Sequence, residues 1–449
     1  MTIDETTGEV VELIRHLIRN ACVNDGTSGT ESTSAATLAG LLDLPGVELE
    51  TYEPFPGRAT LAARLPGSDP DAPSLAYVTH TDVVPAGSQG WDHDPFGADL
   101  DDGFVWGRGA IDMLNLTSSM AVVFRRLALG GYRPRGSLVF VAAADEEAGG
   151  LRGAGWLLDH HPELAMADYV VTETGSPTIG SPTIGGQGVA LPVPLLPVAV
   201  FEKGMAWCTV TVRGTPGHGS RPYRADNAAI KAAGVVERIA AISPRPVIVP
   251  AWERFVREAA LPAALADPAA VGEAVAAIAD PAAARRAHAC THTTFSPNVV
   301  RGGDKTNIIP DLVEVEVDVR TMPGLDAEGV RDTILDALGD LAGEVSISFF
   351  HDQPPTVSAP DTPLWEALEA VASGLTGGVR LVPTVMTGCT DARFWRERGS
   401  VAYGFGLFSD AFGLDEHESM FHGRNERVDV ESLRLSTLAF DELARRFSA

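Results

Sequence analysis

The chain has 449 residues, 45% hydrophobic and 21% charged, a globular composition that excludes fibrous and disordered classes and is long enough for two or three folding units. Asp and Glu number 60 against 34 Lys and Arg, a formal net charge of −26, so neither a nucleic acid nor a membrane surface is expected as a partner. The cysteines, Cys22, Cys208, Cys290 and Cys389, are too widely spaced for a CxxC motif and read as reduced thiols. The opening Met1-Thr-Ile-Asp-Glu5 carries acid where a secretory leader carries base, which points to the cytoplasm.

In chain order, Val10, Val11, Leu13, Ile14, Leu17 and Ile18 recur at helical spacing and predict an amphipathic helix over 8–21. The apolar runs 75–79, 138–144 and 169–171 read as strands, separated by helical stretches at 113–130 and 151–161. That alternation predicts an α/β fold, a mostly parallel sheet sandwiched by helices, with functional groups at the carboxyl ends of the strands. The pattern breaks at Ser176-Pro-Thr-Ile-Gly180, repeated as Ser181-Pro-Thr-Ile-Gly185, and a Pro-rich run follows to Phe201. Such a stretch cannot be a membrane helix and reads as a loop at a domain boundary. Beyond it, strands at 206–214, 293–301, 307–321 and 344–350 with helices at 224–240 and 326–340 give the order βαββαβ of a ferredoxin-like α+β sandwich. An Ala-rich helical insertion, about 245–290, interrupts it, and a helix at 362–374 resumes the α/β pattern. The expected organisation is one α/β domain built from 1–200 and 355–449, with 201–354 inserted.

The strand ends carry His80-Thr-Asp82, Asp112 within Gly107-Arg-Gly-Ala-Ile-Asp-Met113, Asp145-Glu-Glu147 and Glu173, with His422 far downstream. Each alone also reads as a turn or a solvated helix start, but together they form a donor set suited to divalent metal ions. Residues two apart on an extended chain share a side, so Asp82 can accept a hydrogen bond from the His80 ring nitrogen turned away from a metal. Other enzyme classes lack their motifs. No Gly-x-Ser-x-Gly elbow occurs, and the GxGxxG match begun at Gly107 has Asp112 in place of its third glycine.

The segments 75–85 (Leu-Ala-Tyr-Val-Thr-His-Thr-Asp-Val-Val-Pro), Trp91 with Pro95-Phe96, 106–113, 145–147 and Phe421-His-Gly-Arg-Asn-Glu-Arg427 resemble the M20 family of dinuclear zinc amidohydrolases and exopeptidases, over about residues 10–445. The resemblance implies a zinc-exopeptidase-type sheet with an inserted lid and dimerisation domain, hence a homodimer. It makes Asp112 the carboxylate bridging two Zn2+, with His80 and Glu173 completing one ion's set and Glu147 and His422 the other's; Co2+ or Mn2+ are possible substitutes. Two Zn2+, three carboxylates and a bridging hydroxide balance in charge. Glu146 becomes the general base, and Asp82 the residue that orients His80.

In the inserted domain, Gly214-Thr-Pro-Gly-His-Gly-Ser220 resembles the family's lid motif, which gives His218 the substrate carbonyl. Asn307, Arg320 and Gly388 match substrate-binding positions, the planar fork of Arg320 suiting a carboxylate. Asp318 shares a strand face with Arg320, so a structural ion pair is the competing account. Arg393 adds charge or caps a helix. His93 and His417 lie between acidic residues but outside these motifs, and Leu114-Asn115 stands where the family usually has Lys-Gly. The expected reaction is hydrolysis of an amide next to a carboxylate-bearing amino acid, an N-acyl-amino acid. The alternatives are a di- or tripeptidase or carboxypeptidase of the same family, or a non-catalytic binding member, which the full ligand set and Glu146 argue against.

Overall fold

The computed structural model describes residues 3–87, 90–180 and 191–447, so the second copy of the repeat, 181–185, lies outside the described residues. Among the described residues no helix is long and apolar enough to cross a membrane. The chain divides into two units, one comprising Met1–Val200, Val357–Thr384 and Thr390–Ala449, the other Phe201–Thr356 and Val385–Cys389.

In the first unit, strands Glu48–Phe55, Arg58–Leu65, Leu138–Ala143, Leu75–His80, Tyr169–Thr172 and Val401–Gly404 lie side by side in that order. The last four run parallel. The first two join antiparallel, as does Leu195–Glu202 beyond Val401–Gly404. All of Leu75–His80 and Leu138–Ala143 is buried because both sheet faces are covered. Tyr77 and Phe140 meet Phe440 and Phe124 of helices Val430–Phe447 and Leu114–Leu129. Their neighbours Ala76, Val78, Val139 and Val141 pack on the opposite face with Leu157, Leu158, Phe394 and Trp395. Both alternate residues are therefore apolar, which is why these strands read as unbroken runs. A small sheet of Leu100–Asp101, Phe104–Trp106 and Arg427–Asp429 ties the segment after His422 to the one before Asp112.

In the second unit, strands Thr294–Gly302, Leu312–Thr321, Cys208–Arg213 and Val345–Phe349 are antiparallel neighbours in that order. Inward Val313, Val315, Val317 and Val319 alternate with polar residues and pack on Val235, Ile239, Val330 and Ile334 of helices Ala228–Ala240 and Ala327–Leu338. This is the ferredoxin-like order. The insertion forms helices Pro250–Glu258, Val271–Ala276 and Pro281–Ala289.

Several boundaries differ from the sequence reading. The first helix starts at Ile3 rather than 8. The 151–161 stretch opens as a π-turn, Leu151–Gly155, and a Cβ on Gly153 would lie 1.8 Å from the Ala144 carbonyl oxygen, which requires glycine there. The expected loop up to Phe201 ends instead in the strand Leu195–Glu202, where buried Leu195, Leu196, Val198 and Val200 outweigh Pro197. The 307–321 strand is split into Ile308–Ile309 and Leu312–Thr321, with Pro310 in the break. The 224–240 helix begins only at Ala228, because the Asn227 side chain caps it through the Ala229 N–H.

One buried ion pair anchors the sheet edge nearest the strand-end acids. Arg58 pairs with Glu31, lies 3.6 Å from Asp145, and donates to Asn24 Oδ1 and the Ser28 carbonyl at 2.9 Å each. Arg58→Ala leaves two buried carboxylates without their cation and is expected to destabilise the fold by about 3–5 kcal/mol, read by urea denaturation of the metal-free protein.

Candidate metal centre

Three adjacent parallel strands deliver the first donors. His80 ends Leu75–His80, Glu146 and Glu147 follow Leu138–Ala143 in a single turn, and Glu173 follows Tyr169–Thr172. His80 Nε2 lies 3.4 Å from Asp112 Oδ1 and 3.5 Å from Glu173 Oε2. On the other side, His422 Nε2 is 3.3 Å from Asp112 Oδ2 and 3.1 Å from Glu147 Oε2. The two oxygens of Asp112 thus face two different triads, each compact enough to hold one metal ion. Glu146 belongs to neither; its Oε2 is 3.9 Å from His80 Nε2.

Asp82 sits behind this layer, with one detail unlike the sequence reading. The His80 Nδ1 contacts the Asp82 main-chain oxygen at 2.9 Å, while the carboxylate is 3.5 Å away. That carboxylate instead accepts from Asn24 Nδ2 at 2.8 Å and from the Glu146 and Glu147 N–H groups at 3.3 and 3.0 Å. Asp82 therefore orients His80 and also holds the turn that carries the two glutamates.

Sequence reasoning missed the equivalent support under Asp112. Buried Glu426 accepts from the N–H groups of Gly109, Ile111 and Asp112 at 3.0, 2.8 and 3.0 Å and pairs with Arg108 at 2.8 Å. Gly109 adopts φ +88°, and a Cβ there would meet Val83 and Leu114 at 2.7 Å. The signal was present, since Glu426 lies four residues after His422 in the same motif. Asn24, Glu31 and Arg58 carried no such signal. Left-handed backbone occurs here as well: Asp145, Thr174 and His422 take φ values of 69°, 87° and 55°.

The electrostatics follow from crowding acids in a buried patch. Burial, reinforced by the charge of Glu173, holds Glu146 well above the usual carboxylate range. Burial and then Asp112 raise Glu147, and burial pushes Glu173 up to about 8. For Asp112 burial acts upward too, but the facing His422 and His80 imidazoles outweigh it and keep the group well below the usual range. The facing Asp112 and Glu147 carboxylates push His422 up to about 10. His80 Nε2 and Glu147 Oε1 are buried with no hydrogen-bond partner among the described residues. Carboxylates in excess of imidazoles, with unspent lone pairs aimed inward, fit two divalent cations.

The other expected site residues lie in the second unit. His218 pairs with Ile308, and Gly219 N–H donates to the Asn307 carbonyl at 2.8 Å, so His218 and Asn307 flank one small two-stranded antiparallel sheet. Arg320 forms the competing ion pair with Asp318, Nε to Oδ1 at 2.7 Å, and also reaches Cys389 beside Gly388. Arg393, in the first unit, is buried and donates to the Thr390 and Gly149 carbonyls, so it braces a loop. His417 is buried between Phe408 and Phe421, and His93 pairs with Asp99.

A family model, peptidase family M20/M25/M40, matches residues 76–446. Human aminoacylase-1 is 27% identical over 409 residues, 89% of this chain and 87% of that protein. The human N-fatty-acyl-amino acid synthase/hydrolase is 26% identical over 381 residues, 82% of this chain and 73% of that protein. Among solved structures, human carnosine dipeptidase 1 superposes with a TM-score of 0.73 at 15% identity, covering 99% of this chain and 97% of that one, a likeness of fold.

Two outcomes are expected. In the metal-free protein Glu173 and His422 hold protons at neutral pH that a divalent ion must displace. Zn2+ affinity should therefore rise from about pH 6 to about pH 8, and calorimetry in buffers of different ionisation enthalpy should detect proton release; binding without proton release contradicts the ligand set. Glu426→Gln, which weakens the hold on the Asp112 backbone, should cost about 10- to 100-fold in metal affinity in a titration.

Proposed function

The chain belongs to peptidase family M20/M25/M40 and is one of its metallohydrolases; on that premise we propose that it is a cytoplasmic N-acyl-amino acid amidohydrolase using two Zn2+. The observation that carries the hydrolytic reading is Asp112, whose two oxygens each face a separate ligand triad. Similarity to aminoacylase-1 across most of both chains supports an acylated amino acid as substrate. The dipeptidase fold neighbour keeps short peptides as the second reading.

His80, Asp112 and Glu173 would hold one ion, and Asp112, Glu147 and His422 the other. Ions bound there would polarise the scissile carbonyl and lower the pKa of a water toward about 7. Glu146 is the proton carrier, taking the proton of the attacking water and passing it to the departing amine. Its position suits the task, because it lies in neither triad while its Oε2 is 3.9 Å from His80 Nε2. With Nδ1 donating to the Asp82 carbonyl, His80 keeps a lone pair on Nε2.

His218 has the opposite arrangement. Its Nδ1 meets the Ser220 N–H at 3.1 Å and the Ser220 hydroxyl at 2.8 Å; in this reading it accepts from Ser220, and Nε2–H donates to a carbonyl oxygen. Asn307, Arg320 and Gly388 complete the substrate contacts of this reading, and a homodimer through the second unit is part of it.

Glu146→Gln should retain metal by atomic absorption yet lose about 10²- to 10⁴-fold in kcat. His218→Ala should lose activity and keep its metal. Amine release from matched N-acyl-amino acids and free-amino dipeptides, with a chelator control, separates the two readings: chelator-sensitive cleavage of dipeptides alone replaces the amidohydrolase with the peptidase.

A further inference from the structure

The second unit holds a guanidinium that is locked on one side and weakly engaged on the other. Arg320 donates from Nε to Asp318 Oδ1 at 2.7 Å and from Nη2 to Oδ2 at 3.3 Å. Its guanidinium carbon lies 4.9 Å from the centre of the Trp207 ring. Trp207 in turn donates from Nε1 to the same Asp318 oxygen at 2.7 Å, and its ring is set edge-on against Phe350 and His351. Each member of the Trp207, Asp318 and Arg320 triangle thus touches the other two. The remaining terminal nitrogen, Nη1, donates to Cys389 Sγ at 3.3 Å.

That last contact is a poor use of a strong donor. A thiol sulfur is a weak acceptor, whereas a carboxylate receives charge-assisted bonds roughly twice as strong as neutral ones. The Arg320 side chain keeps 20% of its surface exposed, so a ligand can reach it. Its rotamer is already fixed by Asp318 and Trp207, so binding does not have to order it. Because Asp318 offsets the positive charge, recognition here comes from directed donors rather than net charge.

We infer that Trp207 and Asp318 are positioning residues that hold Arg320 with its Nη1 edge turned to the Gly388–Cys389 segment, and that the Cys389 thiol keeps the place a substrate carboxylate oxygen takes. The inference rests on the carboxylate-bearing substrate of the proposed function and adds how this chain fixes the grip on it. A merely structural Asp318–Arg320 pair would leave substrate preference untouched when Trp207 is altered.

The test uses the full-length, zinc-loaded protein, an N-acetyl-amino acid panel and the matching carboxamides. Trp207→Phe keeps a ring beneath Arg320 but removes the N–H that fixes Asp318, and Asp318→Asn weakens the other side of the lock. Both variants should raise KM for the acid about tenfold with kcat within about twofold, and leave the carboxamide unaffected. A second readout needs no variant. Cys22, Cys208 and Cys290 are buried while Cys389 is half-buried, so iodoacetamide should label Cys389 first, followed by peptide mass spectrometry. Saturating N-acetyl-amino acid should slow that labelling at least fivefold and the carboxamide should not. Equal labelling rates with acid and carboxamide, or KM changes that run in parallel for both, overturn the inference. Wild-type protein that cleaves acid and carboxamide equally overturns the carboxylate reading together with the clamp; a wild-type preference that survives both substitutions overturns the clamp alone.

Discussion

Buried negative charge is the constraint around which the first unit is built. Asp82, Asp112, Glu146, Glu147 and Glu173 converge at the carboxyl ends of adjacent strands, where burial, with neighbouring carboxylates, raises Glu146, Glu147 and Glu173 above their usual range. Two imidazoles cannot neutralise such a group, and an uncompensated buried charge costs several kcal/mol. The arrangement is therefore stable as protonated acids or as ligands, and divalent cations exchange the first state for the second. Catalytic use depends on that exchange, because Glu146 belongs to neither triad and, unlike Asp82, is not taken up by the Glu146 and Glu147 N–H groups and Asn24.

Holding like charges together requires a second layer, and it is drawn from distant parts of the chain. Glu426 gathers the N–H groups of Gly109, Ile111 and Asp112 and is itself held by Arg108. Asp82 receives the N–H groups of Glu146 and Glu147 and is tied through Asn24 to Arg58. Asp112, Glu146 and Glu147 are thus each fixed through backbone N–H groups by an acid behind them. These contacts offset the cost of left-handed backbone at Asp145, Thr174 and His422, which aims the donors inward.

This two-layer design explains what the sequence could reveal. The parallel core was legible because strands covered on both faces lose their polar alternation, and Leu75–His80 and Leu138–Ala143 are such strands. The front layer was legible because candidate metal ligands directly follow those strands, and the family resemblance assigned an order to them. The rear layer was mostly not. Glu31 and Arg58 are ordinary charged residues in sequence, and only their burial, 0% and 2% exposed, marks them as partners. The strand Leu195–Glu202 was hidden for another reason: local proline content argued for a loop, and tertiary burial of its leucines and valines prevailed. Arg320 was found, but the ion pair with Asp318 and the carboxylate grip were weighed as rivals. The geometry makes them compatible, since the pair occupies Nε and Nη2 and leaves Nη1 to the weak thiol.

The segment after Met386 links these two kinds of organisation. Gly388 and Cys389 belong to the second unit, and the chain enters the first at Thr390. Four residues past Cys389, buried Arg393 donates to the Gly149 carbonyl, closing the loop that carries Glu146 and Glu147. Between them Asp391 is buried and pushed up to about 7, its Oδ1 occupying the space that a Cβ on Gly150 would need. A short covalent run thus connects the residue standing beside Arg320 to the brace of the loop bearing the proton carrier. The Cys389 contact to Arg320 and the Arg393 brace of the Glu146 loop are four residues apart on one covalent run, so substitutions in 388–393 should be judged against both contacts rather than assigned to one.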